Sequence, residues 1–351
     1  MRFWGDEELP LAGDLPPEPT LDDLRVALPG FVDRELNLLA ISGGGSNGAF
    51  AAGLLNGWSA SGERPEFTVV TGISTGALIA PFAYLGPDYD HIIEGFYTQY
   101  STSDLVEELG WIRSFVGGEA GFDTSRFRAR IAGYVDEDVM EAIATEHRRG
   151  RFLLIGTTNL DAARPVVWNI GAIAESGKPG ALDLIHDILL ASASIPVAFP
   201  PVLIKVESGG KVYDEMHTDG GVSRQSFLFN LSSAEDTFKV LNIVGQGRAY
   251  LIRNSRMDIP WQTVERDMLS IAGRSASSLV HTQGIGDLYR EYLGAQKFDF
   301  DFNLAYIPNT FDAEPEELFD RDYMRKLYEI AYEMSIDGYP WQKIPPGLEP
   351  Q

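Results

Sequence analysis

Short apolar runs that end in glycine alternate with segments of helical periodicity in the first part of the chain. Leu36–Ser42 is an apolar run closed by three glycines, which is typical of a buried parallel strand. Apolar residues then recur at helical spacing up to Trp58. Phe67–Val70 is a second apolar, β-branched run, and helical periodicity resumes at Ala77. The pattern predicts a β-α-β-α unit whose strands are parallel neighbours.

Alternation of helices and strands continues along the chain without a linker. Predicted helices cover Asp136–His147 and Leu182–Ala193, and predicted strands cover Arg151–Leu160, Pro165–Ile170, Val202–Val206, Val212–Met216 and Lys239–Gly245. From about residue 254 we predict only helices and a Pro-rich tail. Two of these helices have an apolar face: the first contains Val264, Met268 and Ile271, and the second contains Met324, Leu327, Tyr328 and Ala331.

The predicted organisation is an N-terminal arm followed by one domain. Residues 5–22 are rich in Pro, Asp and Glu, so we expect residues 1–35 to form an extended arm. Residues 36–351 are expected to form a single α/β domain, on which the C-terminal helices pack. The N-terminus lacks the basic and then apolar layout of a signal peptide. The apolar segment Phe67–Leu85 is interrupted by glycine and proline, as expected for a strand, a turn and a buried helix rather than a membrane span. Localisation stays open, since an export segment could have preceded Met1.

Charge and cysteine content exclude several classes of function. The 351 residues carry 51 acidic and 28 basic side chains, a formal net charge of −23 at pH 7. Such a charge repels phosphates, so we expect no nucleic-acid partner and no tight docking on anionic lipid headgroups. Because the chain has no cysteine, disulfides, thiolate metal sites and cysteine nucleophiles are excluded. No cluster of ligand residues indicates a metal, and no cofactor is predicted.

A glycine-rich loop follows the first predicted strand. Gly43–Gly48 satisfies the G-x-G-x-x-G pattern of dinucleotide-binding folds, but that function needs an acidic residue at the end of the next strand. That strand ends in Val70-Thr71-Gly72, so dinucleotide binding is disfavoured. Glycines before a helix still leave backbone N–H groups unpaired and directed at an anion.

A Gly-x-Ser-x-Gly sequence, Gly72 to Gly76, follows the second predicted strand. Between a strand and a helix this pattern indicates a nucleophile elbow, which raises the Ser74 hydroxyl above the sheet edge. Alone, it is also compatible with a glycine-rich turn and an N-capping serine. The two glycine motifs are about thirty residues apart, so their loops meet at one edge of a parallel sheet. A hydroxyl and a set of free amides at one point are what acyl transfer requires.

A serine nucleophile needs a base, and histidine is the usual choice. Of the five histidines, His217 alone lies beside a predicted loop end, in the segment that runs into Asp219-Gly220-Gly221. The other four lie within predicted helices. His217 is therefore a candidate base on residue type alone.

The three motifs, Gly43–Gly48, Gly72–Gly76 and Asp219–Gly221, have the order and spacing of the patatin-like phospholipases, which the chain resembles from about Leu36 to at least Gln225. Ala191–Pro196 and Phe199–Pro201 are also similar to that family. The resemblance implies a three-layer α/β/α sandwich around a mainly parallel sheet.

The resemblance also implies a catalytic machinery. A Ser–Asp dyad replaces the triad, with Ser74 as nucleophile and Asp219 as base. Backbone N–H groups of the Gly43, Gly44, Gly45 and Ser46 loop form the oxyanion hole, and Gly72, Gly76, Gly220 and Gly221 support the elbow and the Asp219 loop. Many members carry Arg or Lys where Asn47 stands, which puts a preference for anionic headgroups in doubt.

The expected function is hydrolysis of fatty-acyl ester bonds of lipids, and no cofactor is expected. A transient contact with a membrane surface is compatible with this function. The sequence makes no prediction of the oligomeric state. Three alternatives remain: a Ser–His–Asp enzyme that uses His217, acyl transfer to an acceptor other than water, and a non-catalytic scaffold that binds lipid or protein. The apolar segment Ile195–Pro201 is expected either to line the acyl pocket or to pack the core.

Overall fold

A nine-stranded sheet organises the part of the chain that the computed structural model describes, residues 1–7, 20–108, 122–228, 244–258 and 261–348. The strands are β1 (Arg2–Trp4), β2 (Asn37–Ile41), β3 (Val69–Ile73), β4 (Glu107–Glu108), β5 (Phe122–Asp123), β6 (Phe152–Asn159), β7 (Arg164–Asn169), β8 (Val202–Ser208), β9 (Lys211–Asp219), β10 (Arg248–Arg253) and β11 (Asp301–Tyr306). Strands β4 and β5 form a separate ribbon.

Helices connect most of these strands. They are α1 (Leu21–Ala27), α2 (Gly48–Ala60), α3 (Thr75–Leu85), α4 (Asp90–Gln99), α5 (Thr102–Leu105), α6 (Ser125–Tyr134), α7 (Glu137–Arg148), α8 (Ile170–Glu175), α9 (Ala181–Ser192), α10 (Met268–Lys297) and α11 (Arg321–Glu333). No described helix combines the length and the apolar composition that crossing a membrane requires.

The strand order is β1-β7-β6-β3-β2-β10-β11, and the run from β6 to β11 is parallel throughout. Strands β7 and β1 are added antiparallel at one edge. Strand β9 also pairs antiparallel with the last residues of β6, and β8 pairs with β9 as a hairpin. Crossover helices in such a sheet bring the loops that follow the parallel strands to the same end of the sheet, where the strands have their carboxyl ends.

The central strands are apolar on both faces because each face is covered by helices. In β2, Leu39 and Ile41 belong to the core that also contains residues of α2, α3, α9 and α11, whereas Leu38 and Ala40 belong to the core that contains residues of α1 and α10. The protein is therefore a three-layer α/β/α sandwich with a mainly parallel central sheet, as the resemblance to patatin-like phospholipases implied.

Most predicted elements in residues 36–219 are confirmed within a few residues. Strands β2 and β3, helices α2 and α3 and the β8–β9 hairpin occupy the predicted segments. Helix α7 begins at an Asp136 cap, whose carboxylate accepts from the Val139 N–H, and ends with basic side chains. This charge order complements the helix dipole.

Both ends of the chain differ from the prediction. The described parts of residues 1–35 are not an extended arm, because β1 adds to the sheet and α1 buries Leu24 in the core. The division at residue 36 stays a prediction. Beyond residue 254, β11 is a strand that the prediction of helices alone missed.

Two further predictions for the second half have different outcomes. The predicted strand Lys239–Gly245 lies, apart from its last two residues, outside the described residues; the strand that the structure shows nearby is β10. Met268 and Ile271 are exposed on the first turns of α10, so the predicted apolar face there is wrong. The apolar face of α11, with Met324 and Leu327 buried, is confirmed.

The turn between β3 and α3 depends on a close approach to β2, which gives a test of the fold. A Cβ on Gly76 would collide with the carbonyl oxygen of Ile41, whereas a Cβ on Gly133, exposed in α6, would meet nothing within 4 Å. We expect Gly76→Ala to lower the free energy of unfolding by roughly 1–3 kcal/mol through overpacking. Gly133→Ala should raise it by about 0.5–1 kcal/mol through helix propensity. Urea unfolding measures both, and equal effects of the two substitutions would contradict this packing.

Candidate active site

Strand β6 aligns the ends of two strands that are far apart in sequence. Ile73, the last residue of β3, lies opposite Gly156, and Asp219, the last residue of β9, lies opposite Thr157. Because β7 occupies the other edge of β6, β3 and β9 share one edge and approach each other end to end. The residues that follow β3 therefore meet the end of β9.

Ser74 lies in a strained turn between β3 and α3. Its φ of 55° and ψ of −124° are unusual for a residue with a side chain. Gly72 and Gly76 make the turn possible, because a Cβ on Gly72 would lie 2.8 Å from the Cα of Ala77 and a Cβ on Gly76 would lie 2.8 Å from the carbonyl oxygen of Ser42. Ser74 thus has the backbone geometry of a nucleophile elbow, at the N-terminus of a buried helix.

A second serine holds the backbone of the elbow. The N–H of Ser74 donates to Ser192 Oγ at 3.0 Å, and this hydroxyl donates to the carbonyl oxygen of Gly156 at 2.7 Å. Ser192 is fully buried at the end of α9. Its hydroxyl therefore links the elbow to β6 and stabilises the positive φ of Ser74.

The side chains of Ser74 and Asp219 are in direct contact. Ser74 Oγ donates to Asp219 Oδ2 at 2.6 Å, and Asp219 Oδ1 accepts from the N–H of Gly221 at 2.7 Å. The N–H of Asp219 donates to the carbonyl oxygen of Ser194 at 3.0 Å. Both residues are only 6% exposed. A Cβ on Gly220 would lie 2.5 Å from the carbonyl oxygen of Gly156, so the Asp219 loop can approach β6 only with glycine there.

Burial makes Asp219 a stronger base than an ordinary aspartate. Loss of water raises the pKa of Asp219 to about 6, although the hydrogen bonds from Ser74 and Gly221 act in the opposite direction. At neutral pH the carboxyl group is thus still ionised. It can accept a proton more readily than a surface aspartate, whose pKa is about 3.9.

The glycine-rich loop after β2 lies against the elbow. A Cβ on Gly43 would lie 3.3 Å from Ser74 Cβ. The N–H of Gly43 donates to the carbonyl oxygen of Gln225 at 3.2 Å, so this donor is already occupied. Within the described residues, no acceptor pairs with the N–H groups of Gly44, Gly45 and Ser46, which precede or begin the short 3₁₀ turn before α2. These three groups are free to bind an anion.

His217, the alternative base, is fully buried and is hydrogen-bonded to other side chains than Ser74. Its Nδ1 lies 3.0 Å from Thr157 Oγ1 and its Nε2 lies 3.3 Å from Glu215 Oε2, so both ring nitrogens have partners other than Ser74. Burial lowers the pKa of His217. Among the residues that the structure describes, no group of three or more His, Asp or Glu side chains is arranged to hold a metal ion.

A groove of about 680 Å³ begins at Asn47, near the end of the Gly43–Gly48 loop. Asn47 Oδ1 accepts a hydrogen bond from the hydroxyl of Tyr323 at 2.6 Å. The apolar part of the groove lining consists of Trp261, Ile307, Phe311, Ala313, Pro315 and the ring of Tyr323. The segment Ile195–Pro201 does not line this groove: Phe199 is buried against Phe127 and Phe319.

Sequence reasoning missed several residues that support the site. Ser192 and Ser194 lie in the Ala191–Pro196 motif, to which the sequence alone assigns no role. Gln225 donates its N–H to Asp287 Oδ2 at 2.7 Å and its side-chain amide to the carbonyl oxygen of Gly221 at 2.9 Å. Asn254 follows β10. Its position at the carboxyl end of a parallel strand is the one signal in the sequence that could have indicated that Asn254 belongs to the site.

The raised pKa of Asp219 links the site to stability. The folded protein binds this proton more tightly than the unfolded chain does, so ionising Asp219 costs folding free energy as pH rises from about 4 through 6. Asp219→Asn keeps the size of the side chain and removes this cost. We expect the variant to unfold with a free energy roughly 2–3 kcal/mol higher than the parent protein at pH 8. Denaturant titrations between pH 4 and pH 8 measure the difference, and one that does not shrink toward pH 4 would contradict the assignment.

Comparison with known proteins places the chain in a family. A family model described as "Patatin-like phospholipase" matches residues 39–229, more than half of the chain. Among solved structures, VipD from Legionella pneumophila is similar with 10% sequence identity and a TM-score of 0.39, over 85% of this chain and 67% of that chain. A search of curated protein sequences gave no significant match. The matched segment contains both glycine motifs and Asp219, and the chain belongs to the patatin-like phospholipase family.

Proposed function

We propose that this protein is a serine acyl hydrolase that cleaves fatty-acyl ester bonds of lipids, with Ser74 as nucleophile and Asp219 as base. The 2.6 Å contact between Ser74 Oγ and Asp219 Oδ2, made on a strained elbow, carries the proposal. Membership of the patatin-like phospholipase family supports a lipid ester as the substrate class.

In the first half-reaction Ser74 Oγ attacks the ester carbonyl carbon while Asp219 accepts the hydroxyl proton. The C–O bond to the alcohol breaks, Asp219 returns the proton to the departing oxygen, and an acyl group remains on Ser74. In the second half-reaction a water molecule attacks the acyl group and gives its proton to Asp219. That proton returns to Ser74 Oγ as the fatty acid leaves, so the enzyme ends as it began.

Charge that develops on the carbonyl oxygen needs donors already in place. We assign this role to the N–H groups of Gly44, Gly45 and Ser46, which have no other acceptor among the described residues. Gly43 supports the loop, since its N–H is held by the carbonyl oxygen of Gln225. The N-terminus of α3, directly after Ser74, adds a favourable dipole.

The groove that begins at Asn47 is the proposed site for the lipid chain. Its volume of about 680 Å³ is within the range of small-molecule sites, and Ile307, Phe311 and Tyr323 make part of it apolar. Because the formal net charge is −23, we expect neutral or zwitterionic lipid surfaces to be better substrates than anionic ones.

The dyad can be separated from the alternatives by substitution. We expect Ser74→Ala and Asp219→Asn each to lower kcat/KM for p-nitrophenyl butyrate and for phosphatidylcholine vesicles by roughly 10³-fold or more, because each removes one member of the reacting pair. His217→Ala is the matched control and should retain activity within about tenfold per folded molecule, since the ring nitrogens of His217 pair with Thr157 and Glu215 rather than with Ser74. Circular dichroism verifies folding.

A fluorophosphonate probe tests the non-catalytic alternative in the same samples. We expect it to label the parent protein and His217→Ala, and to leave Ser74→Ala unlabelled. If His217→Ala is as inactive as Ser74→Ala, a Ser–His–Asp enzyme replaces the dyad. If the parent protein is neither labelled nor active while a control hydrolase is, the scaffold alternative holds.

The dependence of activity on pH reports the base. Because Asp219 acts in its ionised form and its pKa is raised to about 6, kcat/KM should rise as pH increases through this value and reach a plateau above it. Hydrolysis of an uncharged ester between pH 4.5 and pH 9 measures the profile. The inflection should persist in His217→Ala; its loss in that variant would assign the titration to the histidine instead.

A further inference from the structure

Asn254 lies where β10 and β2 stop pairing, at the base of the glycine-rich loop. Ile252 is the last residue of β10 in register with β2, and its carbonyl oxygen accepts from the N–H of Ser42 at 3.0 Å. Two residues later the fully buried Asn254 faces Ser42. It thus occupies the position at which the loop leaves the sheet.

Three hydrogen bonds connect Asn254 to both ends of that loop. Its N–H donates to Ser42 Oγ at 2.9 Å, and its Nδ2 donates to the carbonyl oxygen of Ser42 at 2.9 Å. Its Oδ1 accepts from the N–H of Ala51, in the first turn of α2, at 3.1 Å. Ser42 Oγ in turn donates to the carbonyl oxygen of Gly43 at 2.8 Å. The segment between Ser42 and Ala51 is therefore held at both ends by one residue, Asn254.

Asn254 also forms the wall against which the loop lies. A Cβ on Gly44 would lie 2.7 Å from Asn254 Cβ and would collide with the carbonyl oxygen of Asn254. Gly44 can approach this closely only because it has no side chain. The two peptide groups on either side of Gly44 carry the N–H groups of Gly44 and Gly45, which are assigned to the oxyanion.

We propose that Asn254 is a positioning residue of the oxyanion hole, which orients the N–H groups of Gly44 and Gly45 without touching the substrate; this inference rests on the proposed function. A buried amide suits the role because it donates and accepts at once, and no other side chain of its size does both in a fixed plane. Its loss should affect the transition state, in which the oxyanion forms, more than substrate binding.

The test compares Asn254→Ala and Asn254→Asp with Asn56→Ala. Asn56 is also buried, and its Nδ2 donates to the carbonyl oxygen of Asp90 and to the hydroxyl of Tyr328, away from the loop. With p-nitrophenyl butyrate we expect both Asn254 variants to lower kcat by about 10- to 100-fold and to change KM by less than about threefold. Asn56→Ala should keep kcat within about twofold per folded molecule, whatever its effect on the melting temperature.

Asn254→Asp is the more informative variant. It keeps the size of the side chain and the acceptor for Ala51, but it replaces the donor to Ser42 by an oxygen that repels the carbonyl group. Ser42→Ala serves as a milder substitution if the Asn254 variants do not fold, and should lower kcat by about 3- to 10-fold. A trifluoromethyl ketone, which forms an oxyanion on Ser74, should bind the variants more weakly by about the factor by which kcat/KM falls.

The outcomes separate this inference from the function. If the Asn254 and Ser42 variants match Asn56→Ala in kcat and in ketone affinity while Ser74→Ala is inactive, Asn254 has no positioning role and the hydrolase stands. If Ser74→Ala remains active in the same assay, the proposed function fails, and this inference fails with it. A fall in kcat together with weaker ketone binding confirms the inference.

Discussion

The hydrogen bond between Ser74 and Asp219 depends on the pairing of two strands, β3 and β9, with the same edge of β6. Strand β3 covers the first part of this edge and β9 covers the last part, so their ends meet opposite Gly156 and Thr157. Neither strand could be longer without displacing the other. Ser192 adds a hydrogen-bonded link from the elbow to Gly156. The end of β3, the end of β9 and the end of α9 are therefore all positioned by contacts with β6. A contact between residues that are remote in sequence is thereby fixed by sheet register.

The same geometry places a carboxylate where water is largely excluded. Burial of Asp219 makes it a better base, but the buried charge is stabilised by only a few hydrogen bonds, from Ser74 and Gly221. A charge buried in this way opposes folding, as does the positive φ of Ser74. The extensive cores on both faces of the sheet supply the stability that offsets these costs. Strain and desolvation concentrated at one point are common at functional sites, where local rules of stability are broken.

The pattern of apolar and helical segments was sufficient to predict parallel strands joined by helices and to place the glycine-rich loop and the elbow at the same end of the sheet, because both motifs directly follow their strands. The three-layer sandwich was implied by the family resemblance. The contact of Asp219 with Ser74 came only from family resemblance, since it depends on the pairing of β9 with β6. Ser192 and Asn254 act through hydrogen bonds to distant backbone groups, which no local pattern records. Strand β11 is six residues long and was missed beside a long helix, and Met268 is exposed because α10 begins in solvent rather than on the core.

The β8–β9 hairpin joins the sheet at one end only. Three residues of β9, from His217 to Asp219, pair with β6, whereas the opposite end of the hairpin, at Gly209 and Gly210, is exposed. Insertions or deletions at that outer turn would lengthen or shorten the ribbon without altering the register that holds the carboxylate. The outer turn is thus a point at which a reporter tag or a fused peptide is expected to be tolerated.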